Sequence, residues 1–228
     1  MSADTTNDMT SGSPVRLILQ FMIPVCLGNI FQQFYNVADS IVAGQFIGVN
    51  ALAAIGSTGS LMFFVTGWLN GLSSGFAILV SQRFGAKRYD QMRHYVAMSI
   101  YLAAAFAIVM TVGLLILNEP ILRMMNFSDE IMPDVTAYMG IIYAGLIVTA
   151  AYNSLAAFLR ALGDSKSPLY FLIISAVINV VLDIAFIVCF GMGVEGCAYA
   201  TVIAQGISAV LCFVYILKKF PILHLKEE

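Results

Sequence analysis

Apolar residues form six long runs along this chain of 228 residues, and polar residues collect in short segments between the runs. A helix that crosses a bilayer needs about 20 mostly apolar residues, a length that every run reaches. The pattern therefore predicts six membrane-spanning helices, called spans 1 to 6 below. Their predicted bounds are residues 17–42, 52–80, 95–117, 135–159, 169–190 and 194–217.

The composition supports a protein that lies in lipid. Hydrophobic residues make up 60% of the chain and charged residues 11%, and the mean hydropathy is +0.89. A soluble domain carries about 25% charged residues. Because six spans use nearly all of the chain, no room is left for a soluble domain. We therefore predict an all-α fold, a polytopic membrane protein built as a bundle of six transmembrane helices.

Positive charge is distributed unevenly between the two sides of the predicted spans. Short cytoplasmic loops retain Lys and Arg, so the side that holds ten of the eleven basic residues is predicted to be cytoplasmic, together with both termini. The opposite side holds Arg123 among acidic residues. Residues 1–14 lack basic residues and precede a run too long for a signal peptide core, so we expect no cleavage. The ten are Arg16, Arg83, Lys87, Arg88, Arg93, Arg160, Lys166, Lys218, Lys219 and Lys226.

Sequence motifs for several kinds of chemistry are missing. The four cysteines show no C-x-x-C spacing, which argues against a disulfide framework and against a cysteine metal site. The two histidines cannot form H-E-x-x-H, and the loop "FGAKRY" lacks the spacing of a phosphate-binding loop. We therefore predict that the protein is not an enzyme and has no cofactor.

Two carboxylates, Asp39 and Asp183, lie inside predicted spans, where a charged side chain costs roughly 2.5 to 3.5 kcal/mol. Asp39 ends a polar stripe with Asn29, Gln32 and Asn36, which share one helical face, and Tyr35 lies on an adjoining line. We interpret Asn29 and Gln32 as interhelical hydrogen-bonding residues.

The second carboxylate has the same kind of neighbour. Asn179 and Asp183 lie one helical turn apart in span 5, and Thr201 and Gln205 have the same spacing in span 6. Gln205 is interpreted as an interhelical contact. Span 4 adds two further polar candidates, Tyr138 and Asn153.

Neither carboxylate has a basic partner in any predicted span. The cost of burial must then be relieved by protonation or by a bound cation such as Na⁺, held by carboxylate, amide and hydroxyl oxygens. An intramembrane aspartyl protease would also use two carboxylates, but such enzymes carry Tyr-Asp and Gly-x-Gly-Asp. Here Ala38 precedes Asp39 and Leu182 precedes Asp183. A cation-exchange site is the favoured interpretation.

Two backbone features are expected to shape the bundle. Pro24 lies inside span 1, where it removes a backbone hydrogen bond and favours a kink. Gly67, Gly71 and Gly75 recur every four residues in span 2, a pattern that allows a neighbouring helix to approach closely.

Six segments together resemble the multidrug and toxic-compound extrusion (MATE) transporters, along essentially the whole chain. The segments are Pro24 in span 1, "NVADSIVAG" at its end, "SQRFGAKR" after span 2, "FLRALGDSKSPL" between spans 4 and 5, "NVVLDIAFI" in span 5 and "GVEGCAYATVIAQ" at the start of span 6. The resemblance implies a secondary antiporter of the plasma (inner) membrane, in which entry of H⁺ or Na⁺ drives export of cationic, often aromatic, compounds.

The same resemblance implies roles for individual residues. In such transporters the amino-terminal lobe holds a cation site, which by position corresponds to Asp39, Asn179, Asp183 and Thr201. Pro24 would be the bend of the first helix. The residues expected to line the cavity around the site are Tyr35, Asn36, Tyr138 and Asn153.

The chain differs from the family in length, because MATE transporters have twelve helices in two related lobes and this chain has six predicted spans. We expect a cytoplasmic polar tail at residues 1–14, a six-helix amino-terminal lobe at 15–219, and a tail or truncated inter-lobe linker at 220–228. A second six-helix lobe is then needed, either as a missing half or as another copy. We therefore expect the chain to be a fragment, a truncated product or a half-size protein that pairs with another copy.

Two other functions are alternatives to an antiporter. A flippase of the wider superfamily, which moves lipid-linked precursors, should have a basic cleft to hold pyrophosphate, whereas the cleft predicted here is acidic. A truncated chain without a second lobe would be a membrane protein that transports nothing.

Overall fold

The computed structural model describes residues 12–220, which form helices and short connections with no strand among them. The predicted tails at residues 1–11 and 221–228 lie outside the described residues. The helices are α1 (Pro14–Phe46), α2 (Val49–Ser57), α3 (Gly59–Gly85), α4 (Tyr89–Met124), α5 (Met132–Ala144), α6 (Leu146–Ala161), α7 (Lys166–Ile184) and α8 (Val194–Lys219), and a π-helical turn (Ala185–Cys189) follows α7.

The six predicted spans are confirmed. Within the described part of the chain, five continuous stretches are long and apolar enough to cross a membrane, and α5 with α6 forms a sixth when the bent pair is counted as one span. The helices extend past the apolar runs at several ends. Large apolar side chains such as Val109 and Ile116 are exposed on the bundle surface, as expected where the surrounding solvent is lipid.

Two of the spans are interrupted. Span 2 consists of α2 and α3, which meet at Thr58, where the threonine hydroxyl donates a hydrogen bond to the Ile55 carbonyl oxygen over 2.7 Å. Span 4 consists of α5 and α6, which are bent by 48° at Gly145. A Cβ atom at Gly145 would lie 2.9 Å from Cγ1 of Val202 in α8. The missing side chain therefore lets the bend pack closely against α8.

Apolar packing is divided between the two ends of the bundle. One buried cluster includes Tyr138, Met139 and Tyr143 of α5, near the end that carries Glu119 and Asp129; we call this the acidic end. The other cluster includes Phe158 and Leu159 of α6, Cys212 and Ile216 of α8, and Val80 and Met92. It lies at the basic end, where α3, α6 and α8 finish. The candidate site adjoins the first of these clusters, which includes its neighbour Tyr138.

Candidate functional site

The structure brings the four predicted cation-site residues together. Asp39, Asn179, Asp183 and Thr201 are all buried, with exposed fractions of 3%, 0%, 0% and 5%. The Thr201 hydroxyl donates a hydrogen bond to Oδ2 of Asp39 over 3.1 Å. The side chains of Asn179 and Asp183 lie close enough to the Asp39 carboxylate to interact with it. Three helices, α1, α7 and α8, thus contribute one polar cluster.

Helix packing explains how these residues meet. α7 packs along both α1 and α8, so the face of α7 that carries Asn179 and Asp183 is covered by both partners. Asp183 is the penultimate residue of α7, directly before the π-helical turn Ala185–Cys189. In that turn the Phe190 amide donates to the Ala185 carbonyl oxygen over 3.2 Å. Such turns are frequent at functional sites, and the sequence pattern did not predict this one.

Several polar atoms of the cluster have no hydrogen-bond partner among the described residues. Oδ1 of Asp39, both carboxylate oxygens of Asp183 and both side-chain polar atoms of Asn179 are buried, and none has a hydrogen-bond partner of normal geometry within the described part of the chain. Buried polar groups are ordinarily paired, because an unpaired one loses its bonds to water. A group of carboxylate and amide oxygens in this state suits a proton or a small cation with oxygen ligands.

Positive side chains do not offset the two carboxylates. The salt bridges in the described residues are Arg93 with Asp90 and Arg123 with Glu119, and both lie at ends of α4, away from the cluster. Two ionised carboxylates at close range in a medium of low dielectric repel each other strongly. A proton or a bound cation at the cluster would remove that repulsion.

A cleft of about 1100 Å³ opens beside the cluster. Asp39 and Thr201 line it, whereas the fully buried Asn179 and Asp183 lie behind them. The predicted cavity-lining residues Asn36, Tyr138 and Asn153 also line the cleft, as does Pro24. The side chain of Tyr35 lies outside the described part of the structure. A cation bound at the cluster would thus be reached from the cleft through Asp39.

The polar residues that were interpreted as interhelical contacts also lie around the cleft. Asn29 and Gln32, interpreted as interhelical contacts, line the cleft along α1. Gln205 does join two helices, because its side-chain oxygen accepts a hydrogen bond from the Thr149 hydroxyl of α6. The polar stripe of α1 therefore belongs to the cleft wall.

The position of Arg160 corrects the sequence analysis, which placed this residue in a loop beyond span 4. Arg160 is the penultimate residue of α6, is partly buried, and lines the cleft at the basic end. Asp39 and Arg160 are the charged residues of the cleft lining in the described part of the chain. The cleft is therefore not purely acidic as predicted, and the charge argument against a flippase loses part of its force.

Cys197 is a neighbour of the site that the sequence pattern did not indicate, because the cysteines were considered only for disulfide and metal-site spacing. Its side chain is fully buried and adjacent to Asp183. Cys197 precedes Thr201 by one helical turn, so both residues occupy the same face of α8. That spacing is the signal from which the thiol's position could have been predicted.

A second, apolar groove of about 780 Å³ lies along α3. Its floor is formed by Gly67, Gly71 and Gly75, and a Cβ at any of them would meet no atom of the described residues within 4 Å. Phe63 and Trp68 are among its walls. The predicted close helix approach at these glycines is therefore not made within the described lobe.

Comparison with known proteins identifies the family. The MatE family model matches residues 24–185. The probable multidrug resistance protein YpnP of Bacillus subtilis (strain 168) is 31% identical over 211 residues, which are 92% of this chain and 47% of that protein. The chain thus spans about half the length of the curated relatives that it matches. These relatives are described as transporters and multidrug resistance proteins.

Solved structures agree with this assignment. A MATE transporter in the bent conformation matches with a TM-score of 0.88 over 94% of this chain and 48% of the other, at 24% identity, which supports the fold. An outward-facing multidrug resistance MATE family transporter matches with a TM-score of 0.83 over 90% of this chain and 45% of the other, at 26% identity. This integral, multi-pass membrane protein corresponds to one lobe of such structures, and it belongs to the MATE family.

Proposed function

We propose that the chain is the amino-terminal lobe of a secondary antiporter that exports cationic drugs or toxic organic compounds, driven by H⁺ or Na⁺. The observation that carries the proposal is the buried pair of carboxylates, Asp39 and Asp183, which has no basic partner among residues 12–220 and borders a cleft through Asp39. A pair in this setting is poorly suited to a purely structural role.

Each residue of the cluster has a role in the proposed mechanism. Asp39 accepts the driving cation from the cleft, and Asp183 with Asn179 provides further oxygen ligands behind it. The Thr201 hydroxyl orients Asp39 through the hydrogen bond of 3.1 Å. Binding of the cation neutralises the repulsion between the carboxylates, and its release restores that repulsion. The cluster therefore differs in energy between its loaded and empty forms.

For cation binding to drive export, the loaded and empty forms of the cluster must favour different shapes of the cleft. A ligand shifts a conformational equilibrium only by the difference in its affinity for the two states. Pro24 lies in α1 about four helical turns before Asp39, and it also lines the cleft. We propose that α1 changes its bend near Pro24 when the cluster is loaded, and that the affinity for the exported compound falls.

A second six-helix lobe completes the proposed transporter. Transporters built from repeats place substrate at the interface of the repeats, so this lobe forms one wall of the binding site. The groove over Gly67, Gly71 and Gly75 supports the proposal, because its aromatic rim and glycine floor are suited to an apolar helix. The second lobe is either a missing half or another copy of the chain.

The proposed setting is the plasma (inner) membrane, with both termini in the cytoplasm. The uneven distribution of basic residues supports this orientation. In this arrangement the basic end of the bundle faces the cytoplasm, and the carboxylate cluster lies nearer the outer face. Residues 1–14 and 220–228 would then be cytoplasmic, the latter as a tail or as a linker to the second lobe.

The test is cation-driven uptake of a lipophilic cationic dye by proteoliposomes that contain the complete two-lobe transporter. We expect Asp39→Asn and Asp183→Asn each to abolish uptake driven by an imposed gradient. Asp129→Asn, an exposed carboxylate in the α4 to α5 connection, is the matched control and should transport normally. Full uptake by both site variants would disprove the mechanism.

The same vesicles distinguish the two driving cations. A Na⁺ gradient at equal pH and a pH gradient without Na⁺ are imposed in separate experiments. The gradient that produces Asp39-dependent uptake identifies the coupling ion.

A further inference from the structure

Arg160 gives the cleft a positive end opposite its acidic site. Residues Thr149, Asn153, Ala156 and Arg160 of α6 all line the cleft, and their spacing places them along one helical face. Arg160 lies eleven residues after Thr149, which corresponds to about 16 Å along the helix. Thr149 is joined to α8 at Gln205, one turn after the Thr201 that binds Asp39. The two charges therefore lie at well-separated levels of the same cleft.

The guanidinium of Arg160 lacks an acidic partner among residues 12–220. It takes part in neither of the salt bridges of this part of the chain. The ionisable side chains that interact with it are Tyr152 and Cys212, and both residue types are ordinarily neutral at pH 7. The end of α6 supplies carbonyl oxygens, but the charge of a helix terminus is only about half an elementary charge. Most of the arginine's capacity to bind an anion is therefore unused.

A nearby carboxylate is already engaged elsewhere. Asp164 accepts hydrogen bonds from the backbone amide of Ser167 over 3.0 Å and from its hydroxyl over 2.6 Å, and so caps the start of α7. Ser165 lines the cleft together with Arg160. The side chain of a helical residue leans toward the amino terminus of its helix, which directs Arg160 back toward Ala156 and the middle of the cleft.

We propose that Arg160 forms an anion subsite of the cleft, which binds a carboxylate or phosphate group of the transported compound. This inference rests on the proposed export function and narrows its substrate class. A guanidinium presents a planar fork of donors that matches these anions. The preferred compounds are then zwitterionic or amphiphilic molecules that carry an anionic group together with an aromatic or cationic part, rather than simple cations.

A matched pair of dyes tests the subsite in the complete two-lobe transporter in detergent. The probes are a rhodamine with a free carboxylate and the methyl ester of the same rhodamine, and binding is measured by fluorescence anisotropy. We expect Arg160→Gln to raise the Kd of the carboxylate dye by about tenfold, because a charge-assisted bond is lost. The Kd of the ester should change far less, and Arg160→Lys should give an intermediate Kd for the carboxylate dye.

Arg83→Gln is the control variant. Arg83 lies in the last turn of α3, where its guanidinium carbon is 5.4 Å from the centre of the Tyr95 ring. It is not part of the cleft lining. The substitution Arg83→Gln should leave the Kd of both dyes unchanged.

The outcomes separate the subsite from the export function. Equal losses for both dyes in Arg160→Gln would indicate that Arg160 pairs with the second lobe, and they would overturn the subsite. Unchanged Kd values for both dyes in Arg160→Gln would also overturn the subsite, while export of cations would stand. Failure of the unmodified transporter to bind either dye would overturn the proposed function and the subsite with it.

Discussion

Thr201 of α8 donates its hydroxyl hydrogen to Oδ2 of Asp39 in α1 over 3.1 Å, within a pocket where both side chains are almost fully buried. This hydrogen bond links α8 to α1. Its acceptor, Asp39, lines the cleft and is also part of the carboxylate cluster. The bond orients the carboxylate and stabilises its ionised form.

Removal of that hydroxyl should shift the cation dependence of transport. A hydrogen bond to a charged group contributes about 1.5 kcal/mol or more, which corresponds to roughly tenfold. If Na⁺ drives transport, Thr201→Val should raise the half-saturating Na⁺ concentration about tenfold in proteoliposomes. If H⁺ drives it, the lost bond favours the protonated carboxyl, and the midpoint of the pH profile should move up by about one unit.

Thr201→Ser keeps the hydroxyl and is the matched variant for this test. It should retain the unmodified cation dependence. A Thr201→Val protein that matches the unmodified transporter at every Na⁺ concentration and pH would contradict a role for this bond.

Replacement of one buried carboxylate should make the protein more stable while it stops transport. Asp183→Asn removes repulsion with Asp39 at nearly constant volume, and removal of an uncompensated buried charge relieves its desolvation cost. In detergent at alkaline pH without Na⁺, we expect the apparent Tm to rise by roughly 2 to 4 °C for each kcal/mol gained.

The difference in Tm between Asp183→Asn and the unmodified protein should shrink when protons or Na⁺ neutralise the carboxylates. At acid pH, or with saturating Na⁺ if the site binds it, the unmodified protein should approach the Tm of Asp183→Asn. Asp129→Asn, at an exposed position, should have little effect throughout. A lower Tm for Asp183→Asn at alkaline pH would show that the charged pair is stabilising.

The bend between α5 and α6 depends on the missing side chain of Gly145. A Cβ there would clash with both Cγ atoms of Val202, with Cγ1 at 2.9 Å. We expect Gly145→Ala to destabilise the protein by about 1 to 3 kcal/mol, the usual cost of overpacking. The measurement is the apparent Tm of the purified protein.

Val202→Ala removes the two methyl groups that the new Cβ would meet. The double variant should therefore recover most of the stability lost in Gly145→Ala, although Val202→Ala alone is mildly destabilising. Strictly additive losses would show that the clash lies elsewhere.

The groove over α3 should be required for association with the second lobe. Gly71→Leu places a large side chain on the groove floor, where no atom of the described residues lies within 4 Å. We expect this lobe to fold normally but to lose most of its association with the second lobe when the two are expressed as separate chains. Co-purification through an affinity tag on one lobe measures the association.

Gly113→Leu is the control for the groove. Gly113 also has open space around its Cβ direction, but it lies in α4 and outside the groove. Association of Gly71→Leu at the unmodified level would show that the groove faces lipid.

Local hydropathy explains why the spans could be predicted from the sequence. The requirement for about 20 apolar residues acts on each segment separately, so it can be applied without knowledge of the neighbouring helices. The interruptions at Thr58 and Gly145 were harder to predict. Apolar residues continue through both breaks, and the space at Gly145 is set by Val202, far away in the chain.

The candidate site was also predictable in part. Asp39 and Asp183 stand out because an unpaired carboxylate in an apolar run is costly wherever it lies. Arg160 was misplaced for a related reason, since a basic residue at the end of an apolar run is ordinarily assigned to the loop that follows. Whether it reaches a cleft depends on how α6 packs against the other helices.

The six membrane spans and the buried acids could be predicted from the chain alone, because the transfer of a residue into lipid depends mainly on that residue and its neighbours in the chain. The contact of Asp39 with Thr201 and the cleft that Asp39 shares with Arg160 could not be predicted in this way. Distances between helices are set by side-chain packing across the whole bundle, which no single segment of the sequence contains.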